Sequence, residues 1–164
     1  MNRDEFAAVV DDAFDRMIRP LTNLARDLVT QPMAEGKWSL KDLAAHFVFR
    51  DEITVKALEA CYRGEHFDWN AFSDRDKQNA QAVADRQTDP HTRTAAEWQI
   101  THLTLMEALR RVPDEKLLEN GRIPAWLIEN VLDHYRHHAA QVDAWMEKLK
   151  REGKLGPTEL SVLR

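Results

Sequence analysis

Apolar residues recur at steps of three and four through four long stretches of the chain. Phe6, Val10, Ala13, Met17, Leu21, Leu24 and Leu28 predict a first helix from the amino terminus to about Val29. Asn2 and Glu5 fit a capping box at its start, and Pro20 inside it removes a backbone donor, so a kink or break is expected there. Residues 31–38, with Pro32 and Gly36, read as a loop. Ser39 and Asp42 open a second helix that Gly64 should close, with Leu40, Leu43, Phe47, Ile53, Ala57, Leu58 and Cys61 at its apolar positions. The pattern then weakens: residues 65–74 resemble a loop with aromatic anchors, and 75–87 a polar helix with a thin apolar stripe.

Thr94 and Glu97 predict the capping box of a third helix that runs to about Arg111, before Pro113. Trp98, His102, Leu105, Leu109 and Val112 form its seam, with Leu103 and Met106 beside them. Pro124 suits the first position of a fourth helix, ending near Arg151 with Gly153 as its stop. The fold class predicted is all-α: a single four-helix-bundle domain over residues 1–153, with an extra short helix between the second and third main helices. Residues 154–164 form a tail that is ordered only if it docks.

The apolar seam of the fourth helix, Leu127, Val131, His134, His138, Gln141, Trp145 and Leu149, is interrupted by two histidines and a glutamine. Imidazoles on a buried stripe need partners. His134 and His138, four residues apart, can converge on one ion. His46, halfway along the second helix and in step with Leu43 and Ile53, is the best third donor. The alternative is a set of hydrogen-bonded core histidines. His102, on the third helix's seam, reads equally as a fourth ligand, a general base or a buried hydrogen-bond partner. Gln141 could orient a ligand or contact a substrate. His137 should lie at the rim, Arg50 in an ordinary intrahelical ion pair, and Cys61 as a packed small side chain.

Composition narrows the chemistry. Seven His stand against one Cys among 164 residues, so a transition metal would be held by imidazole and no intramolecular disulfide forms. A net charge of -5 gives no electrostatic footprint for nucleic acid, and no apolar run is long enough to span a membrane. An acidic start without an apolar stretch predicts a cytoplasmic protein. There is no HExxH, no GxSxG, no Walker loop and no ExxH repeat.

Two segments resemble a known family. Residues 38–52, WSLKDLAAHFVFRDE, are similar to the W-[ST]-x-x-[DE]-x-x-x-H segment of the DinB/YfiT-like superfamily, and residues 134–142, HYRHHAAQV, to its H-x-x-x-H-x-x-Q segment. The resemblance implies an up-down-down-up four-helix bundle with a metal triad of His46, His134 and His138. The HYxxHxxQ form looks most like the ClbS/DfsB branch, whose namesake hydrolyses an electrophilic cyclopropane. The superfamily includes transferases and isomerases that use bacillithiol, mycothiol or glutathione.

The expectation is therefore a divalent-metal enzyme, with zinc or nickel, acting by hydrolysis or thiol transfer on a small electrophilic substrate, with a low-molecular-weight thiol as a candidate cosubstrate. His102 and Gln141 are the secondary, catalytic candidates. The rivals are a metal-free hydrolase using the histidines as general acid and base, and a non-enzymatic bundle that dimerises through an apolar helix face.

Overall fold

The capping box forms as expected. Asn2 accepts the Glu5 amide at 2.8 Å while the Glu5 carboxylate accepts the Asn2 amide at 2.9 Å, and α1 spans Arg3–Asn23. The computed structural model describes residues 1–162. Helix α1 runs through Pro20 and breaks one turn later, where the Leu24 amide bonds the Pro20 carbonyl at 2.9 Å. A separate turn, α2 (Arg26–Val29), follows, so the single helix expected to Val29 is two. Ser39 and Asp42 cap α3 (Leu40–Arg63) reciprocally, and Gly64 ends it at φ +72°, a conformation that costs glycine little.

A 3-10 turn (Trp69–Phe72) interrupts the loop, with Phe67 packed edge-on against Trp69. The polar helix α4 covers Arg75–Asp85 and α5 His91–Arg111. The start of α5 corrects the Thr94–Glu97 capping box. Pro90, its φ already at -60°, launches the helix one turn earlier, and that turn buries Thr94 and Ala95 against the core. The Thr94 amide bonds the Pro90 carbonyl at 3.2 Å, and Glu97 pairs with Arg86 at 2.7 Å. Leu103 also departs from expectation at 66% exposed, because one residue beyond His102 is a rotation of roughly 100°.

After α6 (Asp114–Leu117), Pro124 stands just before the fourth long helix and not inside it. That helix begins as α7 (Ala125–Leu127), widens into a π segment (Ile128–Leu132) and continues as α8 (Asp133–Arg151). The Asp133 amide reaches back to Ile128, and Asn130 Nδ2 donates to the Trp126 carbonyl at 2.8 Å. The wider turn shifts the most deeply buried line of α8 to Tyr135, Ala139 and Val142, leaving His134 and His138 half-buried at its edge and Gln141 exposed. Gln141 is thus not part of the core seam.

Helix α3 packs along α5, α1 lies against α8 and α5, and the π segment touches both α1 and α3. One apolar core results, with Phe6, Met17, Leu21, Phe47, Leu58, Trp98, Leu127 and Tyr135 almost wholly withdrawn from water. Burying each such large side chain contributes roughly 1.5–3 kcal/mol. Arg3 pins the end of α5 by donating to the carbonyls of Leu109, Arg110 and Val112 at 3.1, 3.0 and 2.7 Å, which helix geometry leaves without internal partners. Leu155 is buried in the same core, ahead of α9 (Pro157–Val162); of the expected tail, residues 163–164 lie outside the described residues. Among the described residues there is no strand beyond two isolated bridges, and no helix long and apolar enough to cross a membrane.

Candidate metal centre

Helix α3 carries His46 into the bundle two turns from its start, and α8 presents His134 and His138 one turn apart just beyond the π segment. One donor nitrogen from each of the three lies within 4.8 Å of the others, the one such group of three found among the described residues. His46 Nε2 and His134 Nε2 are 2.7 Å apart. Phe47 floors the cluster, its ring 4.7 Å from that of His134 and 5.4 Å from that of His138, while Trp38 covers His46 at 4.9 Å.

The environment favours neutral imidazoles. Burial lowers the pKa of His46 to about 3, helped by the nearby His138 and Arg50. Burial likewise holds His134 well below the ordinary histidine range, with His46, His138 and Arg50 adding repulsion. His138 is lowered by burial against the opposing hydrogen bond to Gln141. Neutral imidazole is the form that ligates metal.

The surrounding atoms select the tautomer. His138 Nδ1 lies 2.7 Å from Gln141 Oε1, so Nδ1–H donates there and Nε2 keeps its lone pair for a ligand. Gln141 is in turn 3.1 Å from His137 Nε2, at the exposed rim. On the other side, His46 Nδ1 and Asn79 Oδ1 are both buried without a hydrogen-bond partner. Asn79, on α4, is nonetheless the side chain whose interaction raises the pKa of His46. The three residues thus fit a metal by charge state and donor type, and His138 by its tautomer as well. Three nitrogen donors without thiolate or carboxylate suit zinc, nickel, copper or iron, and leave a divalent ion its full charge.

Arg50 corrects the expected intrahelical ion pair. It is 8% exposed, and its bond to Asn130 Oδ1 at 3.3 Å is a long one. Its neighbour Asp51 turns away, into a buried chain that spans all four long helices. Tyr135 donates to Asp51 Oδ2 at 2.5 Å, Trp98 Nε1 donates to the same oxygen at 3.3 Å, and His102 Nδ1 lies 3.2 Å from the Tyr135 hydroxyl. His102 Nε2 completes the chain 2.7 Å from Asp11 Oδ1, at the surface. Phe14 stacks on the His102 ring at 3.9 Å. Burial raises the Asp51 pKa to about 7, although the bonds from Tyr135 and Trp98 oppose it.

His102 therefore stands in a network of its own, apart from the three convergent histidines. His137 is exposed, and Cys61 donates to the Lys116 carbonyl with burial raising its pKa, which matches a packed thiol. Asp51, Tyr135 and Asn79 escaped sequence reasoning. Asp51 had a signal: with Phe47, Thr54 and Leu58 it follows the four-three-four steps of a core ladder, where a carboxylate is out of place.

The family of mycothiol maleylpyruvate isomerase N-terminal domains matches residues 10–124, a stretch that includes His46 and His102 and ends before His134. No curated protein and no solved structure matches the chain. With well over half of its 164 residues matched, the chain belongs to the mycothiol maleylpyruvate isomerase N-terminal domain family, within the DinB/YfiT-like helical superfamily.

Proposed function

We propose that the protein is a mononuclear metal enzyme in which His46, His134 and His138 hold a divalent ion, zinc or nickel. The observation that carries this reading is the convergence of three neutral imidazoles within 4.8 Å. Such an ion supplies positive charge that polarises an electrophile and lowers the pKa of a thiol or water toward neutrality. The reaction is thiol transfer, isomerisation or hydrolysis of a small electrophile, and the family supports a mycothiol-type thiol as cosubstrate. Gln141 orients His138 through its Oε1 and stands where substrate enters. His102 is a positioning residue, bearing through the Tyr135 hydroxyl on Phe47, whose ring packs against both Tyr135 and His134. The architecture belonging to this reading is an up-down-down-up bundle over residues 1–153, working in the cytoplasm as a monomer or homodimer, with ClbS/DfsB-like hydrolysis as one form of the chemistry.

Elemental analysis of protein purified without chelators or a His tag tests it. Near-stoichiometric divalent metal is expected, and its loss in His134→Ala and His138→Gln. No bound metal, together with a zinc affinity unchanged by either substitution, would sink the idea. One observation favours a second, metal-free reading: at 2.7 Å, His46 and His134 are already within hydrogen-bond distance. Two tetrahedral ligands would sit about 3.3 Å apart. In that reading the pair serves as general base and acid, and activity survives chelation.

A further inference from the structure

A cavity of about 610 Å³ opens between the loop before α3 and the outer half of α8. Its volume is that of a small-molecule site. His138 and Gln141 line it together with Trp38, Trp145, Lys37, Lys148 and Arg151. The α8 residues form one ladder along a single helix face: His138, Gln141, Trp145 and Lys148 follow at steps of three, four and three. The aromatic side chain therefore lies between the histidine and the cations. From His138 to Lys148 the helix rises roughly 15 Å.

The charge is one-sided. The chain carries 28 acidic and 23 basic residues, yet three cations and no carboxylate line this cavity. Lys148 has one loose ion pair, 3.9 Å from Glu152, and Glu152 is held more closely by Lys154 at 2.6 Å. Cations in a helix's last turn answer its dipole, which explains Lys148 and Arg151 in part. It does not explain Lys37, which the loop brings to the same cavity from outside the helix.

We infer that this cavity binds an elongated organic anion, its flat apolar body against Trp38 and Trp145 and its acid group among Lys37, Lys148 and Arg151. The other end of the ligand then reaches His138; that this is the reacting end rests on the function proposed above, whereas the anion site does not.

The test is calorimetric, on the full chain as purified, with and without EDTA. The probes are biphenyl-4-carboxylate and its uncharged amide, equal in shape. The carboxylate is expected to bind at least tenfold more tightly than the amide, by a margin that shrinks as salt rises from 0.05 to 0.5 M, roughly a threefold shortening of the screening length. Lys37→Ala, Lys148→Ala and Arg151→Ala combined should abolish that preference while leaving amide binding within about twofold, all three side chains being exposed. The matching triple of remote cations, Lys56→Ala, Lys77→Ala and Arg136→Ala, should preserve it. Equal binding of the two probes, or no binding of either, overturns the inference. So does a preference that EDTA removes and the Lys37, Lys148 and Arg151 substitutions leave intact, since the carboxylate would then be ligating the metal. Protein that holds no metal but keeps the preference refutes the proposed enzyme and not the anion site.

Discussion

Replacing Asp51 with asparagine should stabilise the protein, and increasingly so as pH rises. Its carboxyl is fully enclosed and titrates at about 7, against 3.8 for an unhindered aspartate, chiefly because burial penalises the charge. Between those two values the folded chain keeps a proton that the unfolded chain has lost, so stability falls as pH increases and levels off above about 7. The full penalty is up to about 4 kcal/mol, since each pH unit between the two titrations is worth about 1.36 kcal/mol. Asp51→Asn stays neutral throughout, and its carbonyl can still accept the Tyr135 hydroxyl and the Trp98 indole. The histidines titrate in both chains, so their contribution cancels in the difference. Urea unfolding of both proteins from pH 5 to 8.5 should show the variant's advantage widening by about 2–3 kcal/mol across that range. An advantage that is flat with pH, or that grows toward acid, would refute the assignment of a buried protonated carboxyl.

Other measurements bear on separate links. Thr94→Val should raise stability by about 1 kcal/mol in thermal unfolding, because the buried Thr94 hydroxyl has no partner and valine matches its shape. Asn79→Leu should weaken zinc binding about 10- to 100-fold in chelator competition by removing the polar side chain that bears on His46, with the helical circular dichroism unchanged. The depressed His46 pKa works in the opposite sense to that of Asp51. Its unfolded form gains a proton below about 6.5 while the folded form resists until about 3, so stability is present above 6.5 and drains as pH falls. His46→Phe should flatten that acid limb in unfolding titrations. Trp98→Ala, which empties a fully buried site between Phe47 and Phe14, should cost about 3–5 kcal/mol.

Helical periodicity carried the fold because each long helix has one broad apolar face and a strong stop or start, as at Ser39 and Gly64. The convergence of His46 with His134 and His138 was legible for the same reason: each sat in step with apolar neighbours on its own helix. What could not be read were features set by tertiary packing. Thr94 looks like a cap until Ala95 and Thr94 are seen to be more useful inside the core, and Arg50 looks like a surface cation until α4 brings Arg75 near it. Tyr135 sits next to His134 in sequence and was hidden by it, because an unbroken α-helix gives no reason to prefer its line over the histidine line. Asn79 belongs to a polar helix whose inner side is recognisable only once it lies over α3.

The π segment gives the fourth helix a residue more than its packing requires. Glu129, the second residue of that segment, is exposed to solvent. Deleting it would let the five-residue turn close into an ordinary one, with Leu127 on one side and Tyr135 on the other each still able to face inward. The helix therefore has a point at which its length can change while the histidine face behind it holds its bearing, so variation in chain length there and preservation of the site are separable.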